Sequence, residues 1–187
     1  SVPRGPMLAA TYAGNLDFAK GVWCQPKLDG IRALITSSGA LTRSLQPHTN
    51  VGHIMKMLQP VFDMYPAMTI DGELYNHDHK DNFNKLIRMV RKVDLDADLK
   101  REVETTLQYH IYDAISPGSP TSEAIVQCFG ERVRVLHTLE QLFKDHPIIK
   151  IVPTSQCGSQ AFLDSMNGDY LTWGYEGQMI RLDTPYE

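Results

Sequence analysis

The sequence predicts an α+β fold, antiparallel sheets flanked by helices. Short apolar segments, one of them (107–115) alternating at period two, are bounded by Gly, Pro, Asn and Ser in the manner of strands. Between them lie stretches with apolar residues at helical spacing. No repeat and no low-complexity segment interrupts the pattern.

The elements follow in order. "VWCQPKL" (22–28) and "IRALITS" (31–37) read as two strands around Asp29-Gly30, "SSGA" (37–40) as a turn and "LTRS" (41–44) as a returning third strand. "NVGHIMKML" (50–58) reads as a helix capped by Asn50, broken or restarted at Pro60. "AMTIDGELY" (67–75) is a strand containing a glycine. In "DNFNKLIRMVRK" (81–92), Phe83, Leu86, Ile87 and Val90 fall on one helical face with Asp81 as the expected cap. A polar helix is expected at 94–104, a strand at "LQYHIYDAI" (107–115) and a loop at "PGSPTS" (117–122). A long amphipathic helix (129–145), a strand "IIKIVPT" (148–154), a helix (158–167) and a last strand "EGQMIRL" (176–182) complete the chain.

Composition bounds the function. The 187 residues suit one domain with a sizeable core, and 42% hydrophobic against 21% charged residues mark a globular chain. No apolar run reaches the length of a membrane span, and no signal peptide opens the sequence, so a membrane partner is not expected. A formal charge of −4 argues against a strong non-specific grip on nucleic acid but leaves room for local basic patches. Cys24, Cys128 and Cys157 are far apart, odd in number and form no CxxC, as expected for reduced thiols in a cytosol-like compartment.

Four predicted strands carry polar clusters where a core strand would carry none: Lys27-Asp29-Gly30-Arg32; Asp71-Gly72-Glu73; Tyr112-Asp113; and Glu176-Gly177 with Arg181. Ionised groups are costly to bury unless paired or functional. Four strands sharing this feature predict one cleft into which all project. Each cluster alone has a plainer reading: Asp-Gly as a turn, Tyr112 as a core tyrosine, Arg43 as a solvated strand residue. "NHDHKD" (76–81) reads better as a polar loop before a helix than as a metal site, because no further His or Cys partner is implied. Arg88, Arg91 and Lys92 read as a solvated helix face or as contacts to nucleic-acid phosphates.

Taken together the clusters resemble the nucleotidyltransferase domain of ATP-dependent DNA ligases, closest to the small phage-type enzymes. "KLDGIR" matches the lysine-nucleophile motif K-x-D-G-x-R. "DGELY", "YHIYDAI" and "EGQMIR" match the later motifs in the right order, and the match runs from about Pro6 to the end. One four-position motif arises by chance at a rate on the order of one in a thousand. Four in order leave little room for coincidence.

The resemblance implies an ATP-grasp-like nucleotidyltransferase (adenylation) fold over 1–187, with ATP and Mg²⁺ as cofactors. It implies nicked double-stranded DNA as partner, a monomer, and the cytoplasm of a bacterium or phage-infected host. Lys27 would attack the α-phosphate of ATP, release pyrophosphate and hold AMP as a phosphoramidate. Desolvation and nearby positive charge, here Arg32, favour the neutral amine that such an attack needs. Arg32 would contact ribose or phosphate, Tyr112 would stack on adenine, and Gln25, on the same strand face as Lys27, would meet the adenine edge. Glu73 and Glu176 would hold Mg²⁺ directly or through water, although the resemblance also allows Glu73 a hydrogen bond to ribose. Arg43 sits where the family has an arginine facing DNA and nucleotide. Gly30, Gly72 and Gly177 would permit close backbone approach.

The family continues past this point with a lysine-rich segment and an oligonucleotide-binding barrel, both expected to lie outside this chain. Residues 1–187 by themselves are therefore expected to bind nucleotide weakly, to self-adenylate slowly or not at all, and not to seal nicks. Other readings are an mRNA-capping guanylyltransferase, an RNA ligase, and a catalytically silent nucleotide-binding module. Glu176-Gly177 followed by Met179 and Arg181 favours a DNA ligase over the first.

Overall fold

The computed structural model describes residues 15–116 and 127–186. Their strands form two sheets. The smaller has the order β7-β1-β8, from Ser155–Gln156, Val22–Pro26 and Gln178–Leu182, antiparallel throughout. The larger has the order β3-β2-β4-β5-β6, from Gly39–Leu41, Ile31–Thr36, Thr69–Tyr75, Gln108–Ile115 and Ile149–Ile151. It is antiparallel except at β6, which runs parallel to β5.

The main core lies on the outer face of the larger sheet. Ala33, Ile35, Ile70, Leu74, Tyr109 and Ile111 point there and are fully buried. They are covered by α1 (Gly52–Met57), α2 (Gln59–Met64), α3 (Phe83–Arg91), α4 (Ala97–Thr106) and α5 (Phe129–Leu142). α6 (Gln160–Thr172) covers the outer face of the smaller sheet, packing Leu163 and Tyr170 on Val22 and Cys24. The inner faces of the two sheets look toward each other. There Trp23 meets Phe129 edge-on at 5.5 Å between ring centroids.

Strand and helix positions agree with expectation for most elements, and the differences have local causes. Asn50 does not cap α1, whose cap position is Val51. Its side-chain amide instead donates to the carbonyls of Met89, Val90 and Lys92, satisfying the open end of α3. Asp81 does not cap α3. Asn82 does, its side-chain oxygen accepting from the Lys85 amide at 3.1 Å, while Asp81 pairs in solvent with Lys80. The third strand begins earlier, at Gly39, and Thr42–Ser44 form a turn. The 148–154 segment leaves the larger sheet after Ile151 and leads into β7 of the smaller one. α5 ends at Leu142, α6 extends to Thr172, and the loop expected at 117–122 lies outside the described residues. Among the described residues, no helix is long and apolar enough to cross a membrane.

A β-bulge sets the inner face. β5 pairs with β4 as Asp71↔Asp113 and then Gly72↔Ile111, so Tyr112 is the extra residue. An extra residue reverses the alternation of sides along a strand. Tyr109 and Ile111 therefore face the core, whereas Tyr112 and Asp113 are both available to the cleft. Gly72 is required here, because a Cβ would collide with the His110 carbonyl oxygen.

Asp113 is completely buried and is held by the equally buried Arg132 of α5 through two bonds, 2.7 and 3.1 Å. Arg132 also donates to the carbonyls of Gln127 and Thr184, and Arg181 of β8 approaches Asp113 at 3.7 Å. This ion cluster ties β5, α5 and β8 together. Arg132→Met should cost about 3–5 kcal/mol, because it leaves a buried charge poorly compensated. In urea unfolding, Arg132→Met combined with Asp113→Asn should lose less than the sum of the single losses. Additive losses would show that the two residues do not act as a pair.

Candidate functional site

The cleft is built from the inner faces of both sheets. Register places Gln25 beside Met179, and Trp23 beside Arg181, on the smaller sheet. Across from them, Arg32 stands beside Glu73 and Leu34 beside Asp71 on the larger sheet. Lys27 follows the end of β1, and its backbone amide donates to the Gly177 carbonyl at 3.0 Å. Its side chain is exposed, and among the described residues its Nζ has no ion-pair partner.

Gln25, Lys27, Arg32, Glu73, Tyr112, Met179 and Arg181 line a pocket of about 170 Å³. Five of the seven residues expected to bind nucleotide therefore converge: Gln25, Lys27, Arg32, Glu73 and Tyr112. Glu176 is exposed just before β8 and is not part of this lining. Arg43 and Arg91 line a wider, open groove of about 870 Å³ together with Thr42, Ser44, His48 and Thr49. Arg32 and Glu73 border both spaces, so the groove leads into the pocket. Arg88 and Lys92 are exposed but line neither.

The pocket side chains are held from behind. Arg32 makes a two-pronged pair with buried Asp71, at 2.6 and 2.5 Å, and the Tyr186 hydroxyl donates to the same carboxylate at 2.6 Å. Burial opposes the charge of Arg32, but Asp71 outweighs it and holds the guanidinium firmly protonated. The Tyr112 ring has the guanidinium carbons of Arg32 and Arg181 each 5.1 Å from its centroid, within cation–π range. Burial, then the carboxylates of Asp71 and Glu73, raise the Tyr112 phenol well above its ordinary value, so it stays neutral.

The Gln25 carboxamide has one possible orientation. Its oxygen accepts from Arg181 Nε at 3.0 Å, and its nitrogen donates to the Tyr112 carbonyl and to Thr154 Oγ1, both at 2.9 Å. Guanidinium only donates and carbonyl only accepts, so neither bond survives a flip.

Glu73 is the least satisfied member. One carboxylate oxygen has a long contact with the Tyr112 hydroxyl, 3.4 Å, and Oε2 is buried without a hydrogen-bond partner. Burial pushes its pKa up to about 7, against the pull of Arg32 and the Tyr112 hydroxyl. Gly30 belongs here too: a Cβ would lie 2.6 Å from the Leu74 carbonyl and 2.8 Å from Glu73 Oε2. Gly177 has room for a Cβ, but its φ of +154 favours glycine. Among the described residues, no three His, Cys, Asp or Glu side chains gather as a metal cluster, and the 76–81 segment is a polar turn.

Sequence reasoning placed Asp71, Asp113 and Arg181 in the polar clusters without assigning them a task; they orient the pocket. It missed Arg132, Thr154 and Tyr186. Arg132 was legible only as the charged residue on an otherwise apolar helix face. Thr154 and Tyr186 carried no signal.

A cleft between two sheets, with a lysine at its mouth and walls of arginines, one carboxylate and an aromatic ring, holds the groups that a nucleotide site needs. The model of the ATP dependent DNA ligase domain matches residues 6–187, and the chain belongs to that family. No curated protein sequence matches it. Among solved structures, a Lig E DNA ligase aligns with a TM-score of 0.69 at 22% identity, over 100% of this chain and 65% of the other. The Chlorella virus DNA ligase-adenylate aligns at 0.69 and 21%, over 98% and 61%. The ATP-dependent DNA ligase of bacteriophage T7, in complex with ATP, aligns at 0.66 and 14%, over 90% and 59%. At these identities the likeness establishes the fold, and the chain spans 59–65% of those proteins' length.

The state of Glu73 gives a measurable pH dependence. A carboxyl with a raised folded pKa binds its proton more tightly in the native state, so stability falls as pH climbs from about 4.5 to about 7. Glu73→Gln removes this loss. Its melting temperature relative to the parent should rise by several degrees between pH 4.5 and pH 8. A difference that stays constant with pH would mean that Glu73 is not strained by burial.

Proposed function

We propose that this chain supplies the nucleotide pocket and the reactive lysine for the adenylyl-transfer step of an ATP-dependent DNA ligase. The observation that carries the reading is the position of Lys27, exposed at the mouth of a pocket lined by Arg32, Glu73, Tyr112 and Arg181. The amine of Lys27, which must shed its proton to react, attacks the α-phosphate of ATP. The Nζ–P bond forms, the bond to the pyrophosphate oxygen breaks with its electron pair leaving on pyrophosphate, the nitrogen releases a proton to solvent, and AMP remains as a phosphoramidate. Such a transfer depends on positioning and on neutralising phosphate charge. In this assignment the adenine stacks on Tyr112 with its edge toward Gln25, and Arg32 contacts ribose or phosphate.

Mg²⁺ fits the donors present: the orphaned Oε2 of Glu73 is an oxygen ligand without a partner, and Glu176 is exposed next to the Gly177–Lys27 contact. We assign the metal to these two carboxylates, where it would neutralise phosphate charge.

The AMP then passes to the 5′-phosphate of nicked duplex DNA, and attack by the 3′-hydroxyl seals the strand and frees AMP. Arg43 and Arg91 are assigned to DNA phosphates, because they line the groove that opens into the pocket. Arg88 and Lys92 line neither space and contribute at most long-range attraction.

With labelled ATP and denaturing electrophoresis, the full-length protein should form a covalent adduct that Lys27→Arg abolishes, since guanidinium stays protonated and is not nucleophilic. Label mapped to Lys20, Lys56 or Lys85 would refute the assignment. Tyr112→Ala should weaken nucleotide binding by about 1–3 kcal/mol, on the scale of base–aromatic stacking, with Tyr112→Phe mild. Equal losses in the two variants would assign the effect to the hydroxyl and not to the ring face.

A further inference from the structure

His77 lies outside both the pocket and the groove, yet it is among the most tightly engaged residues at the cleft mouth. It opens the short turn after β4, four residues beyond Glu73. Its Nε2 lies 2.7 Å from the carbonyl oxygen of Trp173, and its Nδ1 lies 2.6 Å from the Tyr75 hydroxyl. A carbonyl only accepts, so Nε2 carries a proton, and in the neutral ring Nδ1 then accepts from Tyr75. The imidazole also stacks on Tyr175, with centroids 4.1 Å apart and planes 18° from parallel. Lys80, from the same turn, crowds Gly174: a Cβ there would sit 2.5 Å from the lysine Cε.

These contacts join the two sheets at one point. On one side is the end of β4, which carries Glu73. On the other is the 173–177 segment, which carries Glu176 and the Gly177 carbonyl that holds the Lys27 backbone amide. Glu176 lies between Gly177, whose φ of +154 is a conformation that few other residues adopt, and Tyr175, whose amide donates to the Tyr170 carbonyl of α6 at 2.9 Å. These ties all belong to the smaller sheet and its helix; the hydrogen bond that reaches from this segment across to the end of β4 is that of His77.

We propose that His77 is a positioning residue: it clasps the 173–177 segment to the end of β4 and so sets Glu176 and the Lys27 backbone relative to Glu73. The inference rests on the adenylyl-transfer reading for its kinetic consequence, but the clasp itself does not. The hydrogen-bond and ring partners of His77 are Tyr75, Trp173 and Tyr175, none of which lines the pocket. Losing the clasp therefore slows transfer while leaving nucleotide affinity nearly intact.

The test uses the full-length protein and the variants His77→Ala, His77→Gln and Tyr175→Phe. For His77→Ala the adduct-forming rate should fall about tenfold or more, the scale at which small misplacements act. The ATP concentration for half-maximal rate should stay within about twofold, and the Mg²⁺ requirement should rise. His77→Gln, which restores a donor for the Trp173 carbonyl, should recover part of the rate, and Tyr175→Phe, which keeps the stack, should behave as the parent. Hydrogen exchange without nucleotide should quicken at 174–178 and at the Lys27 amide in His77→Ala. An unchanged rate, or parallel losses of rate and ATP affinity with no rescue by glutamine, would overturn the proposal. If the parent forms no adduct, the adenylyl-transfer reading fails. Exchange then decides the clasp by itself, and unchanged exchange overturns it.

Discussion

Two buried carboxylates, Asp71 and Asp113, face each other across β4 and β5, and the arrangement of the cleft depends on them. Each would be prohibitive to bury alone. Asp71 is paired with Arg32 and accepts from Tyr186; Asp113 is paired with Arg132 and approached by Arg181. The partners come from β2, α5, β8 and the segment after β8, so the charge requirement of one strand pair recruits both sheets. The same pairs aim the guanidiniums of Arg32 and Arg181 at the Tyr112 ring. Buried ion pairs contribute little net stability compared with apolar packing. Their value here is orientation, since each fixes a side chain that borders the pocket.

Satisfaction is uneven across the cleft, and the unevenness is informative. Gln25, Arg32 and Asp71 have their bonding capacity largely engaged within the protein. Glu73 Oε2 is buried and unpartnered, and the Lys27 side chain is free of ion pairs among the described residues. A preorganised frame surrounding two unsatisfied groups is what a site for a charged ligand requires, because the frame need not reorganise when the ligand arrives. The cost is borne in stability by Glu73, in keeping with the general conflict between an optimal fold and a functional site.

Much of this was legible in the sequence. Short strand-like segments bounded by turn residues located β1, β2, β4 and β8, alternation located β5, and the polar clusters on those strands located the cleft. What the sequence could not reveal was relational. The bulge at Tyr112 puts two adjacent residues on the cleft side, which strict alternation forbids. Asn50 has the chemistry of a helix cap, and it does cap a helix, but the far end of α3 and not its own. Asp81 lost its expected role to its neighbour Asn82 by a one-residue shift that propensity does not resolve. Arg132 read as one polar residue of an amphipathic helix, because nothing local marks the carboxylate nineteen positions away that it neutralises.

The central claim is that the two sheets together form a nucleotide pocket with Lys27 at its mouth. Crystals of the protein grown after incubation with ATP and Mg²⁺ test it most directly. The account predicts density continuous from Lys27 Nζ to a single phosphate, with the adenine over the Tyr112 ring and its edge toward Gln25. An unmodified Lys27 with the nucleotide lying in the outer groove beside Arg43 and Arg91 would contradict it.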